Sequence, residues 1–252
     1  MLYVLTVAMH KGGVGKTTTA AVLAQAGAYS GKRVLAVDLD PQCNLTFALG
    51  ADPRQPGSYE LLEGTKPAIE LFQPCKGIDV IPASRMLAAE KSTKGSATRL
   101  RQALQPIANY YDFIIFDTPT IAGELLYNAL YASNGLVIPT EADIYNLQSI
   151  YQLTDTAQQM QKANEHLQVL GFIITKADNR TILAKQMQEK LIATGVPYLG
   201  QVRNGIVVKE AAALQTSLYE YAPKSKPAED YLQIFNKIYP EENRGKRGQK
   251  NG

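Results

Sequence analysis

The sequence predicts an α/β fold: a doubly wound, mostly parallel sheet flanked by helices. Three observations predict it. Short apolar runs of roughly five to seven residues, rich in β-branched types, alternate with longer amphipathic stretches, as strands covered on both faces alternate with crossover helices. Polar, chemistry-bearing residues gather at the carboxyl ends of those runs, where sites form in open parallel sheets. The first run also leads through a glycine-rich loop into the first helical stretch.

Taken in order, Leu2 to Ala8 (LYVLTVA) reads as a buried strand rather than a secretion signal. Its apolar run is short and meets the glycine loop without a small-residue cleavage site. Lys16 to Ser30 is the first helix, and Arg33 to Asp40 (RVLAVDLD) the second strand. Ile78 to Ser84, Tyr111 to Pro119, Gly135 to Glu141 and Val169 to Asp178 follow as strands. Gly123 to Ala132, Ile144 to Asn164 and Thr181 to Thr194 read as helices between them. The segment from Ala228 to Tyr239 closes the fold, with Tyr231, Leu232, Phe235 and Ile238 on its inward face.

The 252 residues show no internal repeat and no linker rich in glycine, serine or proline. One domain over residues 1–240 is expected, followed by a basic, disordered tail over 241–252. An apolar share of 45% and a charged share of 19% are globular values, and the net charge of +3 singles out no partner class. The basic residues concentrate late: Lys209, Lys224, Lys226 and Lys237, then Arg244, Lys246, Arg247 and Lys250. A solvated end is the plain reading of that tail, and a weak electrostatic contact to nucleic acid the sharper one. Cys43 and Cys75 have no metal spacing and form no obvious pair, which points to a reducing, cytoplasmic setting. No apolar run approaches transmembrane length.

The stretch "HKGGVGKTTT", His10 to Thr19, carries the most information. Gly12, Gly13 and Gly15 allow backbone N–H groups to turn inward, together with that of Val14, and cup phosphate oxygens. The helix that starts at Lys16 adds the partial positive charge of its amino end, and Thr18 lies in its first turn. Lys16 is placed to reach the β- and γ-phosphates, and the Thr17 hydroxyl to ligate magnesium. His10 stands where such loops usually have their first glycine, and no chemistry is assigned to it. Lys11, ahead of the expected lysine, is a cation that a phosphate loop does not need.

A magnesium–phosphate site also needs carboxylates. Asp117 ends the strand YDFIIFD, and Asp38 and Asp40 end VLAVDLD. Thr17, Asp38 and Asp117 are the expected magnesium set, and a carboxylate beside the γ-phosphate can orient an attacking water.

The segments "KGGVGKTTT", "GKRVLAVDLDPQCN", "YDFIIFDTPT" and "APKSKPAEDY" resemble the ParA/Soj partition ATPases, the deviant Walker A group of P-loop NTPases that also holds MinD and the nitrogenase iron protein. The resemblance runs from about Leu2 to Tyr239. It implies that Lys11 is the family's signature lysine, which crosses the interface of an ATP-bound dimer and touches the partner's nucleotide. Such a lysine has little to do within one subunit. It further implies Lys16 and Thr17 as the Walker lysine and metal ligand, Asp117 as the Walker B aspartate and Asp40 as the water-positioning residue. Asp117, Thr118, Pro119 and Thr120 stand where the family has DxPP, so the second proline is lost, which leaves the shape of the following loop open. Arg203 and Asn204 resemble the late loop beside the base. "TKAD", Thr175 to Asp178, looks like the guanine-selecting NKxD of GTPases, but the family's use of ATP favours ATP here.

The resemblance also implies partners. An ATP-bound homodimer would bind DNA without sequence preference, with Lys209, Lys224, Lys226, Arg244, Lys246 and Arg247 as candidate contacts, each equally readable as part of a solvated face. A ParB-like, DNA-bound protein would stimulate hydrolysis, and the protein would associate with the nucleoid in the cytoplasm. The tail after Tyr239 has no apolar face, so a membrane-binding helix of the MinD kind is not expected. With the first strand starting near residue 2, no operator-reading module is expected either. Alternatives on the same scaffold are a MinD-like or protein-cargo-positioning ATPase and a P-loop phosphoryl transferase such as a tyrosine kinase. An electron-transfer ATPase is a further rival, but Cys43 and Cys75, read as a packing and a loop residue, do not stand at the strand ends a bridging cluster needs.

Overall fold

The computed structural model describes residues 2–89, 96–143, 145–178 and 182–239. Eight strands form one sheet: β1 (Tyr3–Val7), β2 (Val34–Asp38), β3 (Gln73–Cys75), β4 (Ile78–Ile81), β5 (Phe113–Asp117), β6 (Gly135–Thr140), β7 (Gln168–Ala177) and β8 (Tyr198–Arg203). Their order is β3-β4-β2-β5-β1-β6-β7-β8, parallel throughout except for the antiparallel pair β3 and β4. The α-helices among the described residues are α1 (Lys16–Tyr29), α2 (Asn44–Leu49), α3 (Ser58–Glu63), α4 (Arg99–Leu104), α5 (Glu124–Ala132), α6 (Asn146–Gln161), α7 (Ile182–Ile192), α8 (Ile206–Ala213), α9 (Leu218–Tyr221) and α10 (Lys226–Ile238). This is the expected doubly wound α/β architecture.

Alternation along the central strands decides which helices pack where. On β5, Phe113 and Ile115 face α1 and α10, whereas Ile114 and Phe116 face the side carrying α3 and α4. A third cluster joins Leu136 and Ile138 of β6 and Phe172 and Ile174 of β7 to α5 and α6. Tyr231, Phe235 and Ile238 of α10 are buried as expected, Ile234 joins them, and Leu232 is half-buried. Phe113 and Phe235 meet edge to face at 5.5 Å, a geometry that aromatic pairs favour. The P-loop helix is held from the far end of the chain: Thr19 Oγ1 lies 3.2 Å from the Tyr231 hydroxyl, and Gln25 Oε1 accepts from the Leu218 amide at 3.0 Å.

Two strands were not expected, and both are edges. β3 contains Pro74, which has no N–H to donate and is tolerated only at an edge. It also moves Cys75 from the expected loop into a strand. β8 is half-buried over most of its length and so lacks a continuous apolar run. The short helices α2, α3, α4, α8 and α9 had no clear periodicity to announce them. Ile144 and Thr181, the expected starts of two helices, and Arg244, Lys246 and Arg247 lie outside the described residues. Among the described residues, no helix is long and apolar enough to cross a membrane.

Candidate nucleotide site at the carboxyl edge of the sheet

Register brings the site together. Asp117 pairs with Val7 on one side and Asp38 on the other, so β1, β5 and β2 deliver the loop and two carboxylates to one edge. The Thr118 hydroxyl donates to the Val7 carbonyl at 3.0 Å and ties two of these strand ends together.

The loop itself needs its glycines. Gly13 and Gly15 have φ of 78° and 87°, which side chains with a Cβ adopt only under strain, and a Cβ on Gly12 or Gly13 would project into open space. Two residues of β7 hold the loop in shape. The Thr175 hydroxyl donates to the Val14 carbonyl at 2.8 Å, and Lys176 Nζ donates to the Gly13 carbonyl at 2.7 Å while pairing with Glu141 at 2.6 Å. Sequence reading singled out these residues only as a look-alike of a base-selecting motif. They clamp the loop.

Lys16 is 7% exposed at the start of α1. Beside it, the Thr17 hydroxyl donates to Asp117 Oδ2 at 2.6 Å. Asp117 is fully buried, and its second oxygen, Oδ1, has no hydrogen-bond partner. Burial and the neighbouring Asp38 push its carboxyl well above the usual carboxylate range, because a lone buried anion is costly. An unpaired buried carboxylate oxygen beside a threonine hydroxyl is a donor set that suits a hard divalent cation such as magnesium.

Asp38 lies beside Asp117 in register. Its Oδ2 accepts from both the amide and the hydroxyl of Thr46 at 2.8 Å, and its Oδ1 accepts from the Asp40 amide at 3.0 Å. Both oxygens thus help to shape the turn between β2 and α2. Asp40 is 8% exposed, takes the Gln42 amide on Oδ1 at 3.0 Å and lines the cavity above the loop.

That cavity is about 990 Å³, with walls from the loop, from Asp40 to Ala48, from Pro119 to Leu125 and from Lys176 and α8. A second cavity of about 480 Å³ lies beside Val4, Arg101 and His166 and has neither carboxylate nor glycine in its walls. At the mouth of the loop, His10 Nδ1 is 3.4 Å from the Thr120 carbonyl. Lys11 has a partner in its own chain, contrary to expectation: Nζ lies 2.8 Å from Asp143 Oδ2. Asp143 was legible only as part of a polar strand end.

The other expected residues are dispersed. The Arg203 amide and Nε both donate to Asp230 Oδ2, at 2.9 and 2.8 Å, a bond set that fixes β8 to α10. The Asn204 amide donates to the Ala177 carbonyl at 3.3 Å. Lys209 lines the large cavity. Lys224 is exposed, and Lys226 pairs with Glu229 at 3.5 Å.

The chromosome-partitioning ATPase Soj of Thermus thermophilus is 36% identical over 242 residues, spanning 93% of this chain and 94% of its own. The sporulation initiation inhibitor protein Soj of Bacillus subtilis is also 36% identical, over 93% of this chain and 97% of its own. The chain belongs to the ParA/Soj family of partition ATPases. As a ParA/Soj protein it also matches the broader family described as an AAA domain, over residues 2–169. Among solved structures, cobyrinic acid a,c-diamide synthase from Mycobacterium smegmatis, with bound ATP analogue and magnesium, superimposes with a TM-score of 0.80 at 29% identity, over 94% of this chain and 93% of that one.

Proposed function

We propose that this ParA/Soj ATPase binds ATP with magnesium over residues 12–18, closes into a homodimer, and holds DNA without sequence preference until a ParB-like, DNA-bound partner speeds hydrolysis. The observation that carries this reading is the division of labour between two lysines. Lys16 is buried in the loop, where a triphosphate would lie, whereas the side chain of Lys11 is 38% exposed at its mouth. An exposed cation beside, but outside, an anion cradle fits a partner subunit's ligand.

Within each subunit, backbone N–H groups of Gly12 to Thr18 bind phosphate oxygens and Lys16 neutralises the β- and γ-phosphates. Thr17 and Asp117, with Asp38 beside them, would hold magnesium, which would spread the charge that builds on the phosphates. Asp40, its Oδ2 without a hydrogen bond from the turn, orients the attacking water. Arg203 and Asn204 shape the loop near the base. Dimer formation gives a two-state switch whose bound form depends on the γ-phosphate. The basic residues Lys224, Lys226, Arg244, Lys246 and Arg247 supply DNA contacts, which support nucleoid association in the cytoplasm and predict salt-sensitive binding.

Sedimentation of Lys11→Ala with ATP tests the reading. The variant is expected to keep nucleotide binding and remain monomeric where the wild type dimerises. A variant that dimerises normally removes Lys11 from this role.

A further inference from the structure

The large cavity does not stop at the phosphate loop. It continues past Thr18 into the cleft between α2 and α8, where Phe47 and Ala48 form one wall and Lys209 and Ala212 the other. A crevice of about 50 Å³ beneath, shared by Thr18, Ala48 and Ala212, extends the same cleft down onto α1. Phe47 is 57% exposed, although it stands on a helix whose other large side chains, Leu45 and Leu49, are buried. Its position is held: Gln215 Nε2, just beyond α8, donates to the Phe47 carbonyl at 3.1 Å and bridges the two helices.

The polarity of the loop decides what reaches this cleft. Lys16, Thr17 and Asp117 serve the β- and γ-phosphates, and Asp40 lies on that same side. The nucleoside must therefore leave in the other direction, beyond Thr18. There it meets an exposed aromatic ring, two alanines and an ammonium group.

We propose that Phe47 is the stacking platform for the nucleotide's purine base, with Lys209 beside the sugar. This rests on the nucleotide reading above and adds the specificity of that site. A phenyl ring has no hydrogen-bonding atoms, so it reads the area of a base and not its edge. The contact favours ATP over CTP and is indifferent between ATP and GTP. It also takes Lys209 from the DNA-binding residues and gives it to the nucleotide.

Calorimetric titration with magnesium and four ligands, ATP, GTP, CTP and inorganic tripolyphosphate, tests the proposal on wild type, Phe47→Ala, Phe47→Tyr and Lys209→Ala. Tripolyphosphate occupies the loop but has no base. Phe47→Ala is expected to weaken ATP and GTP about 5- to 100-fold, leave tripolyphosphate unchanged and bring ATP and CTP together. Phe47→Tyr keeps the platform and its affinity. Lys209→Ala weakens ATP about two- to fivefold and, at saturating ATP, leaves DNA affinity unchanged.

Equal losses of ATP and tripolyphosphate in Phe47→Ala, or no loss of ATP, overturn the platform. A fall in DNA affinity with ATP binding intact in Lys209→Ala returns that lysine to DNA. A wild-type protein that binds neither ATP nor tripolyphosphate overturns the nucleotide reading itself. One that binds both, with ATP affinity untouched by Phe47→Ala, overturns the base subsite alone.

Discussion

Lys11 and Asp143 face each other across the mouth of the phosphate loop at 2.8 Å, both side chains a little over one-third exposed. The lysine that would reach a partner's triphosphate already has a carboxylate in its own subunit. Asp143 is in turn fixed by the Tyr145 amide, which donates to Oδ1 at 3.0 Å. An ion pair this open to water is worth about 0–1 kcal/mol, so it restrains Lys11 without locking it.

Competition follows from that geometry. Asp143→Ala is expected to let ATP-driven dimers form at lower protein concentration, by up to about fivefold per subunit. Light scattering across a dilution series with ATP measures this. A weaker dimer in the variant would mean that Asp143 presents Lys11 instead of restraining it.

Asp117 carries a cost in the metal-free protein, since its buried Oδ1 is unpartnered and Asp38 sits beside it in register. Asp117→Asn is expected to raise the thermal stability of the metal-free chain by roughly 1–3 kcal/mol while abolishing hydrolysis. Magnesium with ATP should raise the melting temperature of wild type far more than that of the variant. A variant less stable than wild type in chelator would show that the charge is compensated.

For Asp40 the expectation is a trap. Asp40→Ala keeps the phosphate loop intact and should slow turnover about 100-fold or more, leaving an ATP-bound dimer on DNA. Filter binding with a fixed DNA fragment, read alongside phosphate release, separates the two effects. Ordinary turnover in this variant would take Asp40 out of its role.

The central strands were legible because they are buried on both faces, and the loop because its glycines and lysine sit between a strand and a helix. The hydrogen bonds of Asp38 were not legible, for a physical reason. Its carboxylate is captured by Thr46, whose position depends on how the following turn closes, and nothing in a run of apolar residues encodes that closure. The Lys11 partner lies on the far side of β6, and the clamp formed by Thr175 and Lys176 joins the loop to β7. Such pairings are products of topology. The edge strands β3 and β8 escaped notice because partial exposure dilutes the apolar signal.

A surface pair supplies the clearest pH signature. Arg33 donates to Asp112 from Nε and from a terminal nitrogen at 3.0 and 2.8 Å, and holds its carboxyl down at about 2. A lowered carboxyl stabilises the fold above the unfolded value near 4, and that contribution fades as pH falls through the folded value. Asp112→Asn should therefore lose under about 1 kcal/mol at pH 7, with the gap from wild type closing between about pH 4 and pH 2. Urea unfolding at several pH values measures it, and a gap independent of pH would discount the ion pair.

The grip of Tyr231 and Leu218 on α1 has a bearing on biosynthesis. Residues early in this sequence obtain their backing from residues late in it, a separation of 212 positions for the Thr19–Tyr231 contact. A chain made only as far as β7 already contains the glycine loop and the strands under α1, yet lacks the backing that α9 and α10 give that helix. Full backing of the phosphate-loop helix thus arrives only once α10 has been made.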